Sequence, residues 1–301
     1  MSAKVSQNPF RLEGIPRRLS AVSATKYIRR MRGGSQSILV QCEDGRYYIV
    51  KMTDNPQGPN VLANELLGSV LGSVAGLPVA TASLVYLSDR FIDNACDLWF
   101  QTSDGVRRPQ AGLHYGSQFI GETEGPNRPT EYISRSRIQT INNRGAFLGM
   151  YLLDVWANQQ DHRQAMLLRS PNGHGSEAFF FDHGFMFGGP DWSFAERRRF
   201  AGHLEGSIYL GLWDQDKVAE WISHFEKVIP DALSSAVLLI PSQWYKGNVG
   251  VLKKVLLLRL QNLRSLVDSD AAVLEEITRR SMANDILRLP RDGIRMLGTS
   301  V

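Results

Sequence analysis

Cysteine is nearly missing from this chain: of 301 residues only Cys42 and Cys96 carry a thiol. Two cysteines in a chain this long make no disulfide framework and offer no zinc-ligand spacing. A reducing compartment, the cytoplasm, is the simplest reading. The histidines at 114, 162, 174, 183, 203 and 224 contain no pair at helical spacing with a glutamate between them, which argues against a zinc protease. No Gly-x-Ser-x-Gly elbow occurs, so nothing supports a Ser-His-Asp hydrolase. Long apolar runs are also missing. The longest stretch, Leu66 to Leu87, is interrupted by Gly68, Gly72, Gly76 and Pro78, and it reads as helix, turn and strand rather than a bilayer span. The first twenty residues hold charges and prolines without an apolar core, so neither a signal peptide nor a membrane partner is expected. Charge of one sign is scarce, with 34 Lys and Arg against 30 Asp and Glu and a net charge of +4. That excess suits an anionic ligand such as a nucleotide. It is too small and too dispersed to make nucleic acid a partner. The run Arg197–Arg198–Arg199 reads as a solvated helix face.

What the chain does have is the composition of a globular protein, 43% apolar and 21% charged, with length enough for one large domain or two lobes. Leu19 to Arg30 is a candidate first strand, and Arg32 to Ser37 a turn. Ile38–Cys42 and Tyr47–Met52 are β-branched and aromatic runs around Asp44-Gly45, a strong hairpin signal. Asn60 to Val74 has apolar residues at helical spacing, ended by Gly76 and Pro78, and Val79 to Leu87 alternates as a strand. A further Asp-Gly turn falls at 104–105. Glu122 to Pro129 reads as a linker. Gln139 to Ala157 is an expected helix, followed by helical patterns near 193–203, 214–228, 248–268 and 272–291, with Pro230 and Pro241 between elements. The expected division is a sheet-rich lobe over 1–121, a helical lobe over 122–271 and a tail over 272–301.

Several residues carry chemistry. Gly33, Gly34 and Ser35 lie between two candidate strands, where a glycine-rich turn lets backbone N–H groups approach phosphates. Lys51 ends the next strand but one. Glu65 is the one carboxylate in the helix that follows, and an acid there is placed to orient a strand lysine. Asp161 follows a very apolar helix in a polar loop, Asn158–Gln159–Gln160–Asp161–His162–Arg163–Gln164, and is a candidate catalytic base. Asp182 ends the apolar run Ala178–Phe181 ahead of His183-Gly184. A carboxylate at the end of a buried strand is costly unless it is paired or holds a cation, so Asp182 is the leading metal candidate. Asn158 and Gln164 are candidates for a second metal contact through an amide oxygen.

In this order the parts resemble the small bacterial HipA-like kinases over roughly residues 20 to 265. The tract Gly112–Leu113–His114–Tyr115–Gly116–Ser117 is similar to their hinge region. The resemblance implies an α+β, protein-kinase-like fold with two lobes: a small antiparallel sheet with one helix, then a mostly helical lobe. It implies ATP and Mg²⁺ as cofactors and transfer of the γ-phosphoryl group to a hydroxyl of an unspecified protein or small-molecule acceptor. It also assigns roles: adenine contacts near His114 and Tyr115, phosphate contact for Lys51, catalysis for Asp161 and metal binding for Asp182. Such kinases carry Asp-Arg-His with an Asn about five residues after the Asp. Here the order is Asp161–His162–Arg163, and Met166 occupies the fifth position. Gln164 or Asn158 must supply the amide, or the second metal is missing. A catalytically impaired nucleotide-binding scaffold is therefore the alternative reading.

Overall fold

The computed structural model describes residues 15, 19, 21–58, 60–125, 127–131, 133–170, 173–194 and 202–288. The first part is a sheet. Strand β1 (Ala21–Arg30) turns through the glycine-rich loop into β2 (Ile38–Cys42), and Asp44-Gly45 turns β2 into β3 (Tyr47–Lys51). Gly45 takes φ +76°, and Asp44 accepts the N–H of Arg46 at 3.0 Å, which is why this dipeptide makes the hairpin. Helix α1 (Val61–Val74) then leads to β4 (Ala82–Leu87), and β7 (Gly112–Gln118) completes the set. The strand order β1-β2-β3-β7-β4 closes into a barrel through a short parallel seam of Ala21–Ser23 against Leu84–Tyr86. An alternating strand pattern is the same for parallel and antiparallel neighbours, so this seam left no mark in the sequence. Ile38, Val40, Tyr48, Val50, Met52, Val85 and Leu87 fill the interior. Gly116 of β7 is required there, since any Cβ would run into Val85.

Between β4 and β7 lies an insert: helix α2 (Asp89–Asn94) and the hairpin of β5 (Phe100–Thr102) and β6 (Gly105–Arg107). The sheet lobe thus holds a second, short helix beside α1. Helix α1 is buried on all sides from Val61 to Ser73, as expected of a helix enclosed by protein. One face meets the barrel and another the second lobe, where a Cβ on Gly68 would lie 2.5 Å from the His183 side chain.

The second lobe is mostly helical: α3 (Arg135–Ile138), α4 (Ala146–Ala157), the strand pair β8 (Gln164–Arg169) and β9 (Ser176–Phe181), then α5 (Gln215–Ala236), α6 (Val249–Gln261) and α7 (Leu263–Arg288). Several expected bounds are corrected. Helix α4 starts at Ala146, not Gln139, because Asn142 and Asn143 bond to the backbone of β9 instead. Asn142 N–H donates to Ser176 O at 2.9 Å, and Asn143 both donates to and accepts from Ala178. Helix α5 runs through Pro230 because its apolar face, with Val218, Ile222, Phe225, Ile229 and Leu233, stays buried past the break. The expected 248–268 helix divides at Asn262, and its second part continues as α7 over most of the expected final helix. The pattern at 193–203 falls largely on residues outside the described ones, and so does the arginine run at 197–199.

Candidate active site

Three charged side chains meet where the barrel, α1 and the β8–β9 hairpin converge. Lys51 ends β3, with its side chain on the α1 side of the barrel, and its ammonium bonds Glu65 of α1. The same ammonium donates to Asp182 Oδ1 at 2.7 Å across 131 residues of sequence. Burial disfavours charge on Lys51, but Asp182 and Glu65 outweigh it and hold the ammonium protonated well above its ordinary range. Burial likewise pushes Asp182 up, yet Lys51 and then Arg163 bring it below the usual carboxylate range. Glu65 Oε2 accepts the main-chain N–H of His183 at 3.1 Å, so α1 also fixes the turn after Asp182.

Asp182 itself takes φ +63°, an uncommon conformation for a residue other than glycine. Arg163 holds it there. Its guanidinium donates to the carbonyls of Phe181 at 2.7 Å and Asp182 at 3.1 Å, and it pairs with Asp154 of α4 out of reach of water. Gln164 Nε2 donates to Asp182 Oδ2 at 2.6 Å.

A cleft runs from this cluster to solvent. It is roofed by Met31, Arg32, Gly33, Gly34, Ser35 and Ser37, and floored by Met166 and Phe181. Asp161 and Asp182 both line it. Asp161 Oδ1 accepts the N–H of His162 at 2.8 Å, which turns the carboxylate at the head of the loop. Among the described residues, the N–H groups of Gly33, Gly34 and Ser35 donate to no protein acceptor. Arg29, Arg32 and Arg128 surround the mouth.

The structure therefore brings together Gly33, Gly34, Ser35, Lys51, Glu65, Asp161, Gln164 and Asp182. Three other expected residues stand differently. Tyr115 lines an inner recess with Lys51, Glu65 and Ser117, and its hydroxyl meets Ser69 Oγ at 2.8 Å under α1. It lies behind the cleft rather than at its rim. Successive strand residues face opposite sides, so His114 lies on the barrel side of β7 and takes the N–H of Thr53 at 3.2 Å on Nδ1. The 112–118 tract is a central strand, and the crossing to the second lobe begins at Phe119, which lines both the cleft and the recess. Asn158 also stands apart from the cleft. It ends α4 in the left-handed conformation at φ +52°, is 4% exposed and does not line the cleft.

Sequence reasoning missed Arg29, Arg32, Phe119, Arg128 and Met166 as cleft residues. Only Met166 carried a signal, as the apolar residue where an amide was expected. No group of three His, Cys, Asp or Glu is placed to hold a metal among the described residues. The donors present nonetheless fit a hard cation held partly by a ligand. Magnesium is commonly bound through one or two carboxylates plus substrate phosphates, and an ionised carboxylate keeps lone pairs beyond the two that Lys51 and Gln164 occupy.

The family model described as HipA-like kinase matches residues 25–268. No curated protein matches the chain. Among solved structures, the Helicobacter pylori proinflammatory kinase CtkA is similar at 10% identity and TM-score 0.48, with 88% of this chain and 99% of that chain covered. The Golgi casein kinase, in a structure with Mn/ADP bound, is similar at 15% identity and TM-score 0.45, covering 88% and 74%. A hydra Fam20 structure with sugar is similar at 10% identity and TM-score 0.37, covering 87% and 86%.

Proposed function

Because the chain belongs to the HipA-like kinase family, we propose that it transfers the γ-phosphoryl group of ATP, with Mg²⁺, to a hydroxyl of a protein or small-molecule acceptor. The observation that carries this reading is the convergence of Lys51, Glu65 and Asp182 at the base of a glycine-roofed cleft that Asp161 also lines. Lys51, oriented by Glu65, meets the phosphate chain, and the free N–H groups of residues 33–35 cradle it. Asp182 and Gln164 would hold the metal, which when bound would neutralise charge on the phosphates. Asp161 accepts the proton of the acceptor hydroxyl. The bond between the γ-phosphorus and the bridging oxygen breaks, the new P–O bond forms on the acceptor, and the proton ends on Asp161. Arg29, Arg32 and Arg128 add attraction for an anionic nucleotide at the mouth. Two unpaired cysteines fit action in the cytoplasm. No described helix is long and apolar enough to cross a membrane.

A second reading, a nucleotide-binding scaffold without turnover, is favoured by Met166, which lines the cleft at the position where an amide ligand is expected. Transfer of label from γ-labelled ATP with Mg²⁺ separates the two. Label on protein or in freed phosphate, lost in Asp182→Asn, supports the kinase. Bound ATP without released label supports the scaffold, and no nucleotide binding overturns both.

A further inference from the structure

The glycine-rich loop is held from outside the cleft by the insert between β4 and β7. Within that insert the Arg108 guanidinium donates to Ala95 O at 2.9 Å and Leu98 O at 2.7 Å, and Arg107 ties the insert to the loop after β3 by donating to Asp54 O. One edge of β5 pairs with β6, and the other meets the side chain of Gln36. Gln36 Nε2 donates to Gln101 O at 2.7 Å, and Gln101 N–H donates to Gln36 Oε1 at 2.8 Å. The amide thus takes the place of a neighbouring strand. Arg30 donates to the same Oε1 at 3.3 Å, and its guanidinium lies 4.0 Å from the centre of the Trp99 ring. Gln36 does not line the cleft, whereas Ser35 and Ser37 on either side do. It sits at φ +49°, and its own N–H closes the loop on Gly33 O at 3.2 Å.

We propose that Gln36 is a positioning residue that clamps the glycine-rich loop to the 89–108 insert, so that the nucleotide site is formed before the nucleotide arrives. The inference rests on the nucleotide reading above. Ordering a loop with two adjacent glycines costs backbone entropy at each residue. A clamp already closed in the free protein removes part of that cost from binding. The partner atoms on the insert are main-chain atoms, so the clamp depends on the Gln36 side chain and on the insert's backbone, not on the side chain of Gln101.

The test uses the full chain and two readouts: amide exchange of the free protein at Gln101 and residues 33–37, and ATP affinity by calorimetry with Mg²⁺. Gln36→Asn tolerates positive φ but is one methylene too short to reach β5. It is expected to speed exchange of the Gln101 amide at least about tenfold and to weaken ATP binding about tenfold, with an unchanged melting temperature. Gln36→Glu keeps the acceptor and loses the donor, and should fall between native and Gln36→Asn. Gln101→Ala should match the native protein in both readouts. Native exchange at Gln101 in Gln36→Asn, or altered exchange with native ATP affinity, overturns the clamp alone. A native chain that binds no ATP overturns the nucleotide reading, and the clamp's purpose with it.

Discussion

Two ion clusters share one wall of this molecule and are built in opposite ways. Lys51 faces two carboxylates, Glu65 and Asp182, and the side chain of Asp182 keeps 27% of its surface in the cleft. Arg163 pairs directly with a carboxylate, Asp154, and that pair is sealed, with side-chain exposures of 1% and 0%. The first cluster has a carboxylate to spare for a ligand. The second has none, and its guanidinium is spent on the carbonyls that set the Asp182 turn. A single lost carboxylate should therefore silence chemistry in one place and unfold the protein in the other.

Asp182→Asn probes the open cluster. Lys51 keeps Glu65, so no buried charge is left alone. Phosphoryl transfer is expected to fall by at least about 10³-fold, roughly 4 kcal/mol in barrier, with stability within about 1 kcal/mol of native. Label transfer and urea unfolding on the same preparation check both halves; a variant that unfolds would erase the contrast. Asp154→Asn probes the sealed cluster. It strands the Arg163 charge and should cost about 3–5 kcal/mol in urea unfolding. Full stability with lost activity would show that the sealed pair is the functional one.

Acid sharpens the comparison through a group outside both clusters. Burial lowers His114 from 6.5 to about 4. The unfolded chain takes up this proton first, so stability is whole above pH 6.5 and declines as pH falls toward 4. The loss is about 3 kcal/mol at most, and His114→Gln should flatten that part of the urea midpoint against pH. Smaller still is Arg32→Ala, expected to weaken ATP binding about threefold to tenfold, and less so at high salt. The exposed i,i+4 pair Arg264 and Asp268 marks the floor, since Asp268→Ala should change stability by under about 0.5 kcal/mol.

Much of the site was legible because its parts are local. Asp44-Gly45 announces a hairpin, the Asn60–Val74 pattern a helix, and Phe179–Phe181 a buried strand, so Lys51, Glu65 and Asp182 stand out as charges at the ends or inside of apolar elements. What escaped depended on facing and on partners far along the chain. His114 and Tyr115 are adjacent in a strand whose tract resembles a hinge, and only the pairing of β7 between β3 and β4 shows which faces α1. The neighbours of Asn158 point to a metal contact, while its place at the left-handed end of α4 shows only in the fold. The β5 and β6 strands are three residues each, too short for a period to emerge. Helix α5 passes through Pro230 because tertiary burial outweighs one missing hydrogen bond.

The contact between Lys51 and Asp182 spans 131 residues. Its two halves come from hairpins that form locally, Lys51 beside β2 and Asp182 beside β8, but the bond between them exists only once both lobes have folded and docked. Loop-closure entropy makes such a long-range contact a late arrival in folding. The cleft is thus a reporter of completed assembly. A nucleotide that binds only the finished cleft at a hundred times its Kd would add about 2.7 kcal/mol to the native state, so under the proposed function a nucleotide would act on this chain as a folding ligand as well as a substrate.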